Sequence, residues 1–452
     1  MEKASSHSLR HSVGNPDRVP EPSRDELARA SSHSLTRIAW TSAIIHGLVH
    51  ASVLLLPSLL LDLQRAFRVS LLEVLGAANA MYLAFGFAAV PAGYFADRVG
   101  SRRMLMIAAT GCGAGLMLVG LAPTFAFVCA GLVLLGVSAG IYHPSGFSLL
   151  SRGVSSRERG RAIGIHGIGG NLGEAIAPAW AALFAVQFGW RVAYLSAAAL
   201  SLACVALALT LPESRPSHTE PHYHPLSRHP HTHTHPHSAA TFRGTLVAFG
   251  QTVLTFWRSR PLRWLLLAMM ASGFVYRGVL TFLPLHLSSN GATGVFAASY
   301  APSYIVSAVL LAGLVAQWFG GALADRLPRE HLFCAEVALF VPVLGLLGLT
   351  SGAGLVAAAL SFGFLWYLAQ PVANALAATY VDSRHHGLVY GVQFAATFGV
   401  GAFATTVGGL LTAWGSSSAA FLGFSAVAFL QLFAALALVR TVRPTPAAVV
   451  VT

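Results

Sequence analysis

Lysine is almost missing: Lys3 is the only one in 452 residues. A nucleotide-binding P-loop needs a lysine after its glycine-rich turn, so no ATP-driven module is expected. Charge of either sign is scarce as well. Only 10% of residues are charged, 28 basic against 16 acidic, where a soluble protein carries about 25%. A water-soluble fold of this length needs a polar surface that this composition cannot cover. Cysteine is confined to Cys112, Cys129, Cys204 and Cys334, all in apolar runs at irregular spacing. These read as small buried hydrophobes, not as a disulfide framework or a metal site. Soluble enzyme, disordered chain and disulfide scaffold are excluded together, and neither catalysis nor a cofactor is expected.

What is abundant is apolar sequence, 55% of the chain, gathered into twelve long runs. Six lie within 38–211 and six within 264–439, each long enough to cross about 30 Å of hydrocarbon at about 1.5 Å per residue. Barrel strands would be about ten residues long with strict alternation, which is not seen. The fold class is therefore all-α integral membrane, with twelve transmembrane helices in two six-helix bundles. Residues 1–36 are expected to be a disordered cytoplasmic tail and 37–211 the first bundle. Residues 212–262 read as a His/Pro-rich cytoplasmic linker, 263–440 as the second bundle and 441–452 as a cytoplasmic tail.

The net charge of +12 would suggest a nucleic-acid partner in a soluble protein. Here it is arginine in short loops, so the partner is the lipid bilayer and no nucleic acid is expected. Arg98, Arg102 and Arg103 follow the second run, Arg152, Arg157, Arg159 and Arg161 the fourth, and Arg326 and Arg329 the eighth. The opposite loops are nearly bare, as at 288–294 and 415–418, with Arg65, Arg68 and Arg191 as the exceptions. The positive-inside rule puts the arginine-rich loops and both termini in the cytoplasm of a multi-pass plasma-membrane protein.

The halves repeat. Gly93-Tyr-Phe-Ala-Asp97-Arg98 returns as Gly321-Ala-Leu-Ala-Asp325-Arg326, and His143-Pro144 with Gly160 returns as Gln370-Pro371 with Gly387. A repeat of this length reads as two six-helix units of parallel topology, a transporter architecture.

At these residues the chain resembles the major facilitator superfamily over about 38–440. The signature G-x-x-x-D-R-x-G-x-[RK]-[RK] is complete at Gly93, Asp97, Arg98, Gly100, Arg102 and Arg103. In the second copy Pro328 stands for the second glycine and Glu330 takes the first basic slot. The resemblance implies a charge-based conformational latch formed by these residues with Asp325 and Arg326. Within the superfamily the chain looks most like the fosmidomycin-resistance type of exporter. That likeness rests on Ile141-Tyr142-His143-Pro144, the glycine run Gly169–Gly173 followed by Pro178, and His46. It departs from that type in carrying Glu174 after the glycine run and His50 one turn after His46.

Ionisable groups inside a bilayer cost at least about 2.5–3.5 kcal/mol each, so each invites a reason. Glu174 sits mid-run among small residues and reads as a proton- or substrate-coupling carboxylate; otherwise it is a structural ion pair or a hydrogen-bonded neutral carboxyl. Glu73 and Glu336 are expected near helix ends. Arg277, well inside the seventh run, reads either as an anchor for an anionic substrate or as the counter-ion of Glu174; otherwise it is a static charge bonded to helix carbonyls. His46 and His50 share one helix face at i, i+4 spacing. With His143, His166 and Gln370 they are candidate cavity residues, able to relay protons or bind a transition metal. His143 is also a candidate for proton coupling. His286 reads as interfacial.

In the linker, His218, His222, His224, His229, His231, His233, His235 and His237 alternate with prolines. That pattern builds no preformed tetrahedral site, though a mobile tract can still collect divalent metal weakly. The function expected is a monomeric secondary transporter exchanging protons for a small organic molecule or drug. A metal or metal-chelate transporter using the linker, or an uptake symporter, stands as the alternative.

Overall fold

The computed structural model describes residues 24–154, 158–212, 242–291, 300–380 and 386–441. Every regular element among them is a helix. The first half runs through α1 (Arg24–Phe67), α2 (Leu71–Val99), α3 (Ser101–Gly120), α4 (Phe125–Gly153), α5 (Arg159–Phe188) and α6 (Trp190–Leu209). A shorter α7 (Phe242–Arg258) precedes the second half. That half comprises α8 (Arg260–Ser289), α9 (Ala301–Ala324), α10 (Arg329–Leu349), α11 (Gly352–Thr379), α12 (His386–Trp414) and α13 (Ser417–Thr441).

Two features differ from the expected layout. α1 reaches back to Arg24, into the segment read as a tail, and α7 lies inside the segment read as linker. α7 packs against α8, α2 and α12; its 17 residues are too few to cross a membrane, which is why no span-length run announced it.

Local chemistry sets the joints. Ser70 caps α2 by accepting from the Glu73 backbone N–H at 3.2 Å, while its own N–H donates to the Glu73 carboxylate at 2.7 Å. This reciprocal box satisfies two donors that a helix start otherwise leaves open. Gly100 and Gly189 are single-residue joints between α2 and α3 and between α5 and α6, at φ of 91° and 87°. That left-handed region suits glycine, which has no Cβ to clash.

Packing repeats between the halves. α1 lies on α5, α2 on α4 and α3 on α6, and the same scheme pairs α8 with α12, α9 with α11 and α10 with α13. The seams are made by glycine. A Cβ on Gly136 or Gly140 would overlap the α2 backbone at Met81 or Phe85, and one on Gly169 or Gly173 the α1 backbone at Ala43 or Gly47. Gly320 and Gly363 do the same between α9 and α11. Without a hydrophobic drive between helices in lipid, such close approach is what holds them together.

The two halves meet where α2 packs on α12 and α5 on α9. Apolar side chains cover the outside: Phe87, Trp318 and Leu430 are each more than half exposed. Facing water such a surface would aggregate; facing lipid it is matched to its solvent. Among the described residues, eleven helices are apolar and long enough to cross a membrane. α5 equals them in length, with 30 residues, but carries Arg161, His166, Asn171 and Glu174, which lower its hydropathy. The twelve-helix, two-bundle architecture read from the sequence is the one observed.

Candidate functional site

A cavity of about 560 Å³ lies between the halves, the size of a small-molecule site. His46, His50, His143, His166, Glu174, Arg277 and Gln370 all line it. Its wall runs from Glu174 towards Ile163, Phe333 and Asn374, the end of the bundle that carries the α2–α3 joint. At the opposite end the halves are bonded to each other. Tyr300 donates to Asp62 at 2.9 Å, Asn79 to Thr406 at 2.8 Å, and the Ala179 N–H to Ser307 at 2.9 Å.

Glu174 stands at the boundary between these zones. Its carboxylate accepts from Nδ1–H of His50 at 2.8 Å, from the Tyr276 hydroxyl at 2.5 Å and from the Tyr367 hydroxyl at 3.0 Å. His50 belongs to its own half, whereas Tyr276 on α8 and Tyr367 on α11 belong to the other. One carboxylate is thus an acceptor shared across the seam. Tyr276 is held in place by stacking on Trp366, with centroids 4.1 Å apart and planes within 5°.

The counter-ion expected for Glu174 is corrected by the geometry. Among the described residues the nitrogen base bonded to Glu174 is His50, not Arg277. Arg277, 6% exposed, lays its guanidinium 4.0 Å over the Tyr82 ring of α2 in the other half, with Phe398 at 5.6 Å. Cation–π contact offsets part of the desolvation without neutralising the charge, so a positive group faces the cavity.

The glycine run on α5 can now be read residue by residue. Gly169 and Gly173 admit the α1 backbone, while Gly170 makes room for the His46 ring, whose Nδ1 would lie 2.6 Å from a Cβ there. His46 in turn stacks on His166 at 4.0 Å between centroids. Asn171, between the glycines, donates across the seam to Gln317 at 2.7 Å, and Gln317 donates to Gln370 at 3.0 Å. Sequence reasoning missed Tyr276, Tyr367, Gln317 and Asn171 as site residues. Only Asn171, a polar group in the motif, carried a signal.

Two further placements differ from expectation. Glu336 is not at a helix end: it is 2% exposed, two turns inside α10, with no hydrogen-bond partner for either oxygen among the described residues. His286, near the end of α8, is fully buried there rather than exposed, bonded to Ser417 at 2.8 Å and to the Leu347 carbonyl at 2.7 Å.

The signature residues gather at the other end. Gly93, Asp97 and Arg98 occupy the last turns of α2, Gly100 is the joint, and Arg102 and Arg103 open α3. Arg102 donates to the Leu211 carbonyl at 3.3 Å, past the end of α6. Asp325 and Arg326 are exposed just beyond α9. The side chain of Asp97 is not among those described, and His222, His224, His229, His231, His233, His235 and His237 lie outside the described residues.

A family model described as Major Facilitator Superfamily matches residues 40–405. The chain belongs to the major facilitator superfamily. Within this family it is 31% identical over 187 residues to the fosmidomycin resistance protein of Escherichia coli K12, covering 40% of this chain and 46% of that one. It is 29% identical over 130 residues to a multidrug resistance protein B homolog of Mycobacterium tuberculosis, covering 28% and 24%. The matched stretches thus span less than half of these relatives. In fold, the chain superposes on a bacterial homolog of the human lysosomal transporter Spinster, solved inward-facing and unoccupied. The TM-score is 0.68 at 15% identity, covering 92% of this chain and 99% of that one. A peptide transporter solved with sulfate gives a TM-score of 0.68 at 14% identity, covering 89% and 94%.

Proposed function

We propose that this protein is a secondary active transporter that exchanges protons for a small organic molecule or drug by alternating access. The observation that carries this reading is the Glu174 carboxylate, which accepts from His50 in its own half and from Tyr276 and Tyr367 in the other. A proton arriving on that carboxyl removes its charge and one acceptor position. The bonds across the seam weaken, and the population moves towards a state with the halves parted on that side. Releasing the proton into the cavity restores the bridge. With the arginine-rich loops in the cytoplasm, the cavity leads from Glu174 inward, and the Asp62–Tyr300, Asn79–Thr406 and Ala179–Ser307 bonds close the outer side. The names of the fosmidomycin and multidrug resistance relatives support export.

Reconstitution in liposomes tests the reading. Candidate organic acids, phosphonates and drugs that raise the melting temperature of the purified protein are expected to drive proton flux when transported. Substrate flux with no proton flux overturns the coupling, and accumulation along the proton gradient replaces export with uptake symport.

Arg277 gives the cavity a fixed positive charge, which favours an anionic substrate. Arg277→Ala is expected to weaken binding of such a substrate by tenfold or more, with Arg277→Lys a partial rescue if both guanidinium edges are used. Equal affinity in all three proteins removes Arg277 from recognition.

The signature is proposed to latch the cytoplasmic side when the cavity faces outward, with Asp97, Arg98 and Asp325 as its charges. Asp97→Asn should shift the population towards inward-facing and slow turnover several-fold. Cytoplasmic labelling rates and turnover both equal to wild type would leave Asp97 only a folding role. The linker histidines are read as part of a solvated connector. Replacing all eight with serine should leave organic-substrate transport unchanged; collapse of metal tolerance instead would favour metal transport.

A further inference from the structure

The transport reading uses His50 as a donor to Glu174 and leaves His46 on α1 and His143 on α4, beside it, without a chemistry. His46, His50 and His143 each bring a ring nitrogen to within 4.8 Å of the other two. Their ring centroids lie 4.6 Å apart for His46 and His50, and 5.2 Å apart for each of these with His143. Three imidazoles at such distances, inside a membrane protein, bring polar atoms together where each must be satisfied.

The hydrogen bonds fix two of the tautomers. A carbonyl only accepts, so the 2.9 Å contact of His46 Nδ1 with the His166 carbonyl puts the proton on Nδ1. His50 Nδ1 donates in the same way to Glu174 at 2.8 Å. In both rings Nε2 therefore keeps its lone pair. For His46 that atom is buried and has no hydrogen-bond partner among the described residues, an arrangement that is unfavourable unless something takes the lone pair. Metal-binding histidines are held this way, with one N–H given to a carbonyl or carboxylate and the other nitrogen left for the ion.

We propose that His46, His50 and His143 form a binding site for a single transition-metal ion of the zinc, cobalt, nickel or copper class. Three imidazoles and no thiolate favour these borderline ions over magnesium or calcium. Zinc–nitrogen bonds of about 2.0–2.1 Å set tetrahedral ligands roughly 3.3 Å apart, so the rings close in by side-chain rotation when the ion binds. Three protein ligands leave a fourth position. All three residues line the cavity, so that position faces the space where water, or an oxygen or nitrogen of a small chelating molecule, completes the set. Glu174 acts here as a positioning residue, since it holds the His50 tautomer. The inference does not rest on proton coupling, because binding is an equilibrium property of the purified protein without any gradient.

The test uses the full chain with its eight linker histidines replaced by serine, so that the linker contributes no ligands. Titration with Co²⁺ is expected to give one ion per chain with the intense visible absorption of a four-coordinate site, displaced by Zn²⁺. In that background His143→Gln and His46→Gln should each weaken Co²⁺ binding at least tenfold. Glu174→Gln should weaken it by roughly 10–100-fold while stoichiometry stays at one. Metal-free melting temperature and monodispersity report whether each variant folds; His50→Gln, on the more exposed ring, serves if the buried ones do not. Absence of saturable Co²⁺ binding up to millimolar concentration overturns the site, as does binding that none of the folded histidine variants alters. Either result leaves the proton-exchange reading standing, since that is measured by flux.

Discussion

Glu174→Gln is expected to lose uphill, pH-driven transport by roughly 100-fold, the upper range of coupling between two sites, while substrate counterflow persists. Glutamine keeps the shape of the side chain and one carbonyl oxygen, so it can still accept from two of the three donors around position 174. Both tyrosines bond one carboxylate oxygen and His50 the other, so the third is His50, which accepts from the amide NH2 once its own proton moves to Nε2. What glutamine cannot do is gain or lose a proton. The variant should therefore fold, bind and exchange, yet fail to turn a proton gradient into accumulation. Paired flux assays on proteoliposomes, one with a pH gradient and one with substrate on both sides, separate these outcomes. Normal gradient-driven accumulation at normal expression would remove Glu174 from the coupling step, and His46, His50 and His143 would be tested next.

The largest expected effect on the fold comes from Gly173→Val. A Cβ at this position would run into the backbone of Gly47 on α1, and backbone cannot rotate away as a side chain can. The α1–α5 seam would have to open along its length, at a cost of roughly 3–5 kcal/mol, the range reserved for severe core lesions. Loss of monodisperse protein, or a melting temperature well below wild type, is the expected result. Gly160→Val is the control, because nothing lies within 4 Å of a Cβ there. Equal stability of both variants would mean that the close seam carries little of the fold's free energy.

The helices and their pairing into two units were readable because each rests on a local signal. Run length and loop charge are properties of neighbouring residues, and the second copy of the motif exposed the repeat. Gathering His46, His50, His143, His166 and Glu174 into one cavity was readable for a related reason: polar groups in a span are turned inward by lipid. The partner of Glu174 was not. The reading offered Arg277 because both were deep charges in opposite halves, but the donors are His50 in its own half and, across the seam, Tyr276 and Tyr367, ordinary aromatics that announce nothing in a run of apolar residues. Tyr276 adjoins Arg277 in sequence, yet consecutive helical side chains point about 100° apart, so one reaches Glu174 and the other Tyr82. Glu336 misled for another reason. Polar residues at 329–331 make its apolar stretch seem to begin at Leu332, but the helix starts at Arg329, which moves the carboxyl inward by nearly a turn. α7 left no trace because no rule for spans applies to so short a helix.

α5 has a consequence for how the chain is made. It is the spanning helix that falls short of the others in hydropathy, and it carries the groups that serve the cavity. A translocon that sorts segments by their individual free energy of transfer would hesitate over it. Among the helices made before it, α1 is the one whose backbone accepts its glycines and whose His50 meets Glu174. α1 and α4 emerge from the ribosome before α5 does, so the partners that make its insertion favourable are already in the bilayer when it arrives. A weakened α1–α5 seam would then be felt during synthesis, as a topology error, before it is felt as a loss of stability in the finished protein.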